Sequence, residues 1–70
     1  MNKRTNLINA RKRAHLTQSQ LGELVGITKQ AISNLEVGRY GAKPETWDKL
    51  EDALKTPQRQ LREVTETNKV

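Results

Sequence analysis

Cysteine and phenylalanine are absent from the sequence, which also has only one tryptophan and one tyrosine among its 70 residues. Without cysteine, the chain cannot form a disulfide or a thiolate metal site. With so few aromatic side chains, a hydrophobic core has to be built mainly from Leu, Ile, Val and Ala. A helical domain can do this because each helix needs only one apolar stripe. The length suffices for one small domain of modest stability.

Long hydrophobic runs are missing as well. No segment approaches the roughly 20 apolar residues of a membrane span, and the basic N-terminus is not followed by the apolar run of a signal peptide. We therefore expect no membrane association and an intracellular location. The single histidine, His15, has no acidic neighbour in sequence, so no metal site is expected. Because no nucleophile stands beside a base, we expect no enzyme activity, no cofactor and no small-molecule substrate.

Positive charge is what the chain has in excess, with a formal net charge of +5. Residues 1–43 contain eight lysines and arginines but two acids, whereas residues 44–70 contain five lysines and arginines and six acids. This asymmetry is expected of a protein that binds the phosphate backbone of nucleic acid. A basic, solvated surface without such a partner explains the charge equally well.

Apolar residues at helical spacing, separated by helix-stop signals, predict an all-α domain of five short helices. The first helix is expected over residues 5–14. The fourth is expected to begin at Pro44, and the fifth to begin with Thr56 as its cap and Pro57 at its first position. The predicted inner faces of these three helices consist of Leu7, Ala10, Arg11, Ala14, Trp47, Leu50, Ala53, Leu54, Leu61 and Val64.

The second and third helices have the clearest start and stop signals. Thr17 and Gln20 have the spacing of a capping box, in which each side chain bonds the backbone of the other residue. Thr28 is the expected N-cap of the third helix, and Gly26 and Gly38 are the expected stops. The predicted apolar positions of this segment are Leu16, Leu21, Leu24, Val25, Ile27, Ala31, Ile32 and Leu35.

A turn of only three residues, 26–28, separates the second helix from the third. Helices joined so tightly cross steeply, at roughly 90–120°, as in a helix-turn-helix. Because glycine inside a helix costs roughly 1 kcal/mol relative to alanine, Gly22 indicates a close approach, with Ala31 as the small residue on the other helix. The sequence therefore predicts a helix-turn-helix over residues 16–36.

The outward face of the third helix carries no acid. It consists of Lys29, Gln30, Ser33 and Asn34, all of which form hydrogen bonds. Glutamine and asparagine pair with the major-groove edge of adenine, and lysine donates to guanine. This composition favours a helix that reads bases in the major groove, and a merely polar surface helix explains it equally well.

Residues 16–39, LTQSQLGELVGITKQAISNLEVGR, resemble the Cro/C1-type helix-turn-helix family of phage and bacterial repressors. The match includes the cap, the crossing, the turn, the core and the helix end together, although Gly22 stands where the family most often has alanine. The resemblance implies a compact five-helix, lambda-repressor-like DNA-binding domain. We expect it over residues 1–65, followed by a flexible tail over residues 66–70, in the cytoplasm of a bacterial host.

The resemblance also implies a role for individual residues. Bases would be read by Thr28, Lys29, Gln30, Ser33 and Asn34. Phosphates would be contacted by Thr17, Gln18, Arg39, Tyr40 and Lys43. A buried, structural salt bridge between the first helix and the end of the third would be formed by Arg11 and Glu36.

Three functions fit this resemblance. The first is a sequence-specific transcriptional regulator that binds a double-stranded operator, as a weak homodimer, within a phage lysis–lysogeny switch. The second is an anti-repressor that binds a cognate phage repressor directly. The third and least favoured is an antitoxin of the same fold.

Overall fold

The structure, a computed structural model, describes residues 2–66. Within this range the predicted all-α class is confirmed. The five helices are α1 (Thr5–Arg13), α2 (Gln18–Val25), α3 (Lys29–Glu36), α4 (Pro44–Leu54) and α5 (Gln58–Arg62). Two short strands, β1 (Asn2–Lys3) and β2 (Thr65–Glu66), pair antiparallel and were not predicted. Residues 67–70 of the predicted tail lie outside the described residues.

The core is aliphatic apart from a single tryptophan. It consists of Leu7, Ala10, Leu21, Val25, Ile32, Leu35, Trp47, Leu50, Leu54 and Leu61. Helix α2 packs against α3 and α4, while α5 closes the domain against α1 and α4. Leucine therefore fills the space that phenylalanine occupies in many domains, and each helix contributes one apolar stripe.

The helix-turn-helix has the start and stop signals read from the sequence. The Thr17 hydroxyl accepts from the Gln20 amide at 3.0 Å, and the Thr17 amide donates to the Gln20 side chain at 2.9 Å, which completes the capping box. Gly26 ends α2 in the left-handed conformation, with φ of 80°. The Thr28 hydroxyl then accepts from the Ala31 amide at 3.0 Å and starts α3.

Gly22 lies against the turn between α2 and α3. A Cβ at this position would sit 2.5 Å from the Ile27 carbonyl oxygen and 3.3 Å from the Thr28 carbonyl carbon. The Gly22 carbonyl also accepts from the amides of Gly26 and Ile27. The close approach that the sequence indicated is therefore made to the backbone of the turn, where no side chain fits.

The inner faces of α1 and α2 differ from the prediction at one residue each. Leu24, predicted to face inward, is 61% exposed. The reason is its position about 160° around the helix from Gly22, which is held against the turn. Ala14, also predicted to face inward, is exposed because α1 ends at Arg13 and the chain then turns at His15, with φ of 60°.

Helix α5 begins one residue later than predicted, and its start signal is different. Pro57 occupies the N-cap position, and the Thr56 hydroxyl donates back to the Leu54 carbonyl at 3.0 Å instead of capping α5. The Gln58 amide donates to the Glu51 carboxylate of α4. Val64, predicted on the apolar face, follows the end of the helix and is 40% exposed.

Candidate nucleic-acid interface

Helix α3 presents a polar face to solvent. Ile32 and Leu35 are buried on its inner side. Of the five residues expected to read bases, Thr28, Lys29 and Gln30 are exposed, whereas Ser33 and Asn34 are half-buried. The fold therefore brings all five to one helix, with Lys29, Gln30, Ser33 and Asn34 on one face and Thr28 at the N-cap.

The charge around this face is positive. No acidic residue occurs between Glu23 and Glu36, and Glu36 is buried and paired with an arginine. Four of the five residues predicted to contact phosphates are exposed, and only Gln18 is half-buried. The exposed four are Thr17, which precedes α2, and Arg39, Tyr40 and Lys43, which follow α3. Phosphates approaching α3 would therefore meet hydroxyls and cations, with no exposed carboxylate on the helix itself.

An ion pair fixes the C-terminal end of α3 to α1. The Arg11 guanidinium donates to both carboxylate oxygens of Glu36, through Nε at 2.5 Å and through Nη2 at 3.3 Å. The two side chains are 13% and 5% exposed, respectively. Arg11 also donates to the Leu16 carbonyl at 2.9 Å, which links the turn before α2 to the same site.

Gln18 joins this pair from the first turn of α2. Its side-chain amide donates to Glu36 Oε1 at 2.9 Å, and the side chain is half-buried. The Glu36 carboxylate therefore receives donors from α1 and α2 while it ends α3. The phosphate contact assigned to Gln18 by resemblance stays a prediction, and it would use the amide hydrogen that does not bond Glu36.

Arg4 is a residue that the sequence did not single out. Only 8% exposed, it donates through Nη1 to the carbonyls of Leu35 and Tyr40, both at 2.8 Å, and through Nε to the Arg62 carbonyl at 3.1 Å. Its backbone amide donates to the Glu36 carbonyl at 2.9 Å. Local sequence patterns could not indicate these contacts, because the partners are 31 to 58 residues away.

Trp47 packs beneath the Arg4 guanidinium. The guanidinium carbons of Arg4 and Arg62 lie 5.3 Å and 5.9 Å from the centre of the indole ring, within the range of cation–π attraction. Burial, and after it the nearby charge of Arg62, lowers the pKa of Arg4 from its ordinary value. Among the described residues, no buried side-chain polar atom lacks a partner.

The described residues contain no group of three or more histidines and acids placed to hold a metal ion. No helix between residues 2 and 66 is long and apolar enough to cross a membrane. The acid-free face of α3 and its flanking segments are the candidate functional site.

Comparison with known proteins identifies the family. Residues 7–57 match the family model described as helix-turn-helix. The chain is also similar to the crystal structure of the restriction-modification controller protein C.AhdI from Aeromonas hydrophila, at 26% identity and a TM-score of 0.74, over 83% of this chain and 88% of that one. The comparison with curated proteins gives no match. Because the matched segment contains α2, α3 and α4 and most of the chain, the protein belongs to the helix-turn-helix family of the Cro/C1 type, whose members are DNA-binding regulators of transcription.

Proposed function

We propose that the protein binds a specific operator in duplex DNA by inserting α3 into the major groove. The observation that carries this proposal is the exposed, acid-free face of α3 on a helix whose ends are both held by hydrogen bonds. Gln30 and Asn34 would pair with adenine edges, and Lys29 would donate to guanine. The function is one of binding, in the cytoplasm of a bacterial host.

The segments that flank α3 would hold the DNA backbone. Thr17 and Gln18 lie at the N-terminal end of α2, where free backbone amides and the helix dipole favour a phosphate. Arg39, Tyr40 and Lys43 lie in the segment that joins α3 to α4. These contacts would supply most of the affinity and set the register, while α3 supplies the base preference.

A homodimer would let two copies of α3 read two half-sites one helical turn apart, roughly 34 Å. The two copies would associate on the DNA itself, each through its own α3 and flanking segments. The biological setting would be a phage switch, on the resemblance of the sequence to phage repressors. Control of a restriction-modification system is the setting named for the similar crystal structure. The genes beside the bound operator would distinguish the two.

A salt-titrated binding assay tests the proposal. The purified protein is used to select duplexes from a random pool, and its affinity for the selected duplex is measured against scrambled DNA from about 50 to 200 mM salt. Several phosphate contacts predict that the logarithm of the affinity falls linearly with the logarithm of the salt concentration, by about 0.9 per phosphate. Failure to select any sequence over scrambled DNA would contradict the proposal.

A matched pair of glutamine substitutions tests the assignment of α3. Gln30→Ala should weaken binding to the selected duplex by about 1–3 kcal/mol and relax the preference at one base pair. Gln60→Ala, on the exposed surface of α5, should leave binding unchanged. Equal losses on selected and scrambled DNA for Gln30→Ala would mean that this side chain does not read a base.

A second candidate function, anti-repression by direct binding to a cognate repressor, is favoured by one surface. Leu24 is 61% exposed and shares a shallow groove with Lys49, Asp52, Ala53 and Lys55. An exposed leucine ringed by two lysines suits a partner segment that carries an aliphatic side chain and carboxylates. This groove includes the C-terminal end of α4, about 16 Å along the helix from Lys43, so it would stay accessible beside bound DNA.

Leu24→Gln separates the two candidates. It removes the apolar centre of the groove without touching α3, so operator binding should persist while binding to a repressor encoded beside the gene should be lost. Gln30→Ala should have the opposite pattern. If Leu24→Gln binds such a repressor as the wild type does, this surface has no part in anti-repression.

A further inference from the structure

We propose that Arg4 is a positioning residue that fixes the segment carrying the phosphate contacts to the end of the base-reading helix. The inference rests on the proposed DNA-binding function. The segment concerned, called here the 37–43 loop, joins α3 to α4 and contains Arg39, Tyr40 and Lys43. Arg4 itself is buried and would not touch DNA.

The hydrogen bonds of Arg4 join the end of α3, the middle of the 37–43 loop and the end of α5. One nitrogen, Nη1, donates to the Leu35 carbonyl in the last turn of α3 and to the Tyr40 carbonyl in the 37–43 loop, both at 2.8 Å. A single atom therefore sets the distance between the end of the reading helix and the middle of the loop. The Tyr40 side chain is left 60% exposed by this arrangement.

The arginine is itself held from two other directions. Its Nε donates to the Arg62 carbonyl at the end of α5, and its guanidinium lies over the Trp47 ring in α4. The backbone amide of Arg4 also donates to the Glu36 carbonyl. Because a guanidinium is planar and carries its donors in a fixed fork, these contacts define one orientation, which the flexible ammonium of lysine cannot reproduce.

The loop is otherwise fixed only towards its two ends, and Arg4 holds it between them. At its start, Gly38 adopts a left-handed φ of 80° and the amides of residues 37–39 donate back into α3. At its end, Ala42 packs against the core and the Lys43 carbonyl accepts two amides from the first turn of α4. Gly41 has no atom within 4 Å of the position of a Cβ. Without the bond from Arg4 to Tyr40, the loop would still begin at α3 but would no longer be held at its middle. Its phosphate contacts would then be misaligned with the reading face.

A matched pair of substitutions tests this role. Arg4→Met and Arg62→Met each remove one positive charge from beside Trp47, but only Arg4 bonds the 37–43 loop through its side chain, since the Arg62 carbonyl belongs to the backbone. In free protein, Arg4→Met should speed hydrogen exchange of the Arg39 amide by about tenfold relative to the Ile32 amide. Arg62→Met should leave this ratio unchanged.

The DNA readout is the salt dependence, which a loss of stability alone would not move. Arg4→Met should reduce the salt slope on the selected duplex by about two, the loss of two phosphate contacts. Arg62→Met should reduce it by no more than about one. Arg4→Lys keeps the charge, so it provides a variant that folds if Arg4→Met does not, and it should show the same direction of both changes.

The outcomes are separable from those of the proposed function. If wild-type protein selects no duplex, the DNA-binding proposal fails, while the exchange ratio still reports whether Arg4 holds the loop. If wild-type protein binds and Arg4→Lys or Arg4→Met keeps the wild-type slope, Arg4 does not position the loop for DNA. A loop that loosens without any change of slope would overturn the inference equally.

Discussion

The two ends of α3 are held in different ways. At the N-terminal end, the Thr28 hydroxyl caps an amide three residues away, and Gly22 lets the preceding turn lie against α2. At the C-terminal end, Arg11 binds Glu36 across 25 residues, and Arg4 binds the Leu35 carbonyl across 31 residues. One end is set by neighbours in sequence and the other by charged side chains from α1 and the segment before it.

The N-terminal and C-terminal parts of the candidate interface therefore depend on the rest of the domain to different degrees. The N-terminal end of α3 can form whenever α2 and the turn are present. The C-terminal end and the 37–43 loop need α1, α4 and α5 in place as well. Substitutions at the two ends should therefore differ in size and in how far their effects spread.

The largest effect is expected from Arg11→Met. It leaves the buried Glu36 carboxylate with only the Gln18 amide as a side-chain donor, so the free energy of unfolding should fall by about 3–5 kcal/mol. Urea denaturation followed by circular dichroism measures this loss. Arg11→Met combined with Glu36→Leu should recover part of it because no unpaired charge remains. A double variant as unstable as the sum of both single losses would show that the pair is not coupled.

Gly22→Ala should produce the next largest effect, at the N-terminal end. The new Cβ would lie 2.5 Å from the Ile27 carbonyl oxygen, and overpacking of this kind costs about 1–3 kcal/mol, against a gain of roughly 1 kcal/mol in helix propensity. We expect a net loss of up to about 2 kcal/mol in the same denaturation experiment, because the atom that the Cβ meets belongs to the backbone and cannot easily move. Gly41→Ala, where a Cβ meets nothing within 4 Å, is the control and should change stability by less than about 0.5 kcal/mol. Equal changes in the free energy of unfolding for the two variants would show that the close contact of Gly22 with the turn is not needed for stability.

Thr28→Ala should cost about 1 kcal/mol because the Ala31 amide loses its cap. The expected loss is local, so hydrogen exchange should accelerate in the first turn of α3 before it does at Leu35. Thr56→Ala is the control, since the Thr56 hydroxyl donates to the Leu54 carbonyl at the end of α4 and not to α3. An equal acceleration along the whole of α3 would mean that its two ends are not held separately.

The smallest change in stability is expected from Lys29→Gln. This substitution should raise the stability of the protein slightly but weaken or relax its binding to DNA. A positive charge in the first turn opposes the helix dipole, so its removal should stabilise the protein by about 0.3 kcal/mol. The salt slope on DNA should fall by about one if Lys29 meets a phosphate, or the preference at one base pair should relax if it reads guanine. Lys55→Asn removes the same charge from a left-handed position far from α3 and should leave both binding properties unchanged.

The sequence predicted what its local patterns determine. The capping box of Thr17, the left-handed Gly26 and the cap of Thr28 depend on residues a few positions apart, and the structure has all three. Leu24 was wrongly placed in the core because spacing alone does not tell which side of α2 meets its neighbours. Gly22 could have indicated the inner side of α2, since the side of the helix with no side chain is the side that packs against the turn.

Local sequence patterns could not predict the contacts between residues that are far apart in the chain. The pairing of Arg11 with Glu36 came only from the resemblance, and Arg4 was missed because nothing near it in sequence indicates burial. A basic residue at the start of a chain is ordinarily solvated. Its contacts arise only when the ends of α3, α5 and the 37–43 loop come together around Trp47, which is a property of the tertiary structure.

The buried residues and the polar face of α3 are separate sets, which bears on how the binding preference can change in evolution or by design. Ile32, Leu35 and Glu36 make the packing and ion-pair contacts described above, whereas Lys29, Gln30, Ser33 and Asn34 donate and accept no side-chain bond within the described residues. If they read bases as proposed, these four side chains can therefore be exchanged as a set while the scaffold keeps its stability. Binding to a new operator would then require substitutions at these four positions and none in the residues that hold α3 in place.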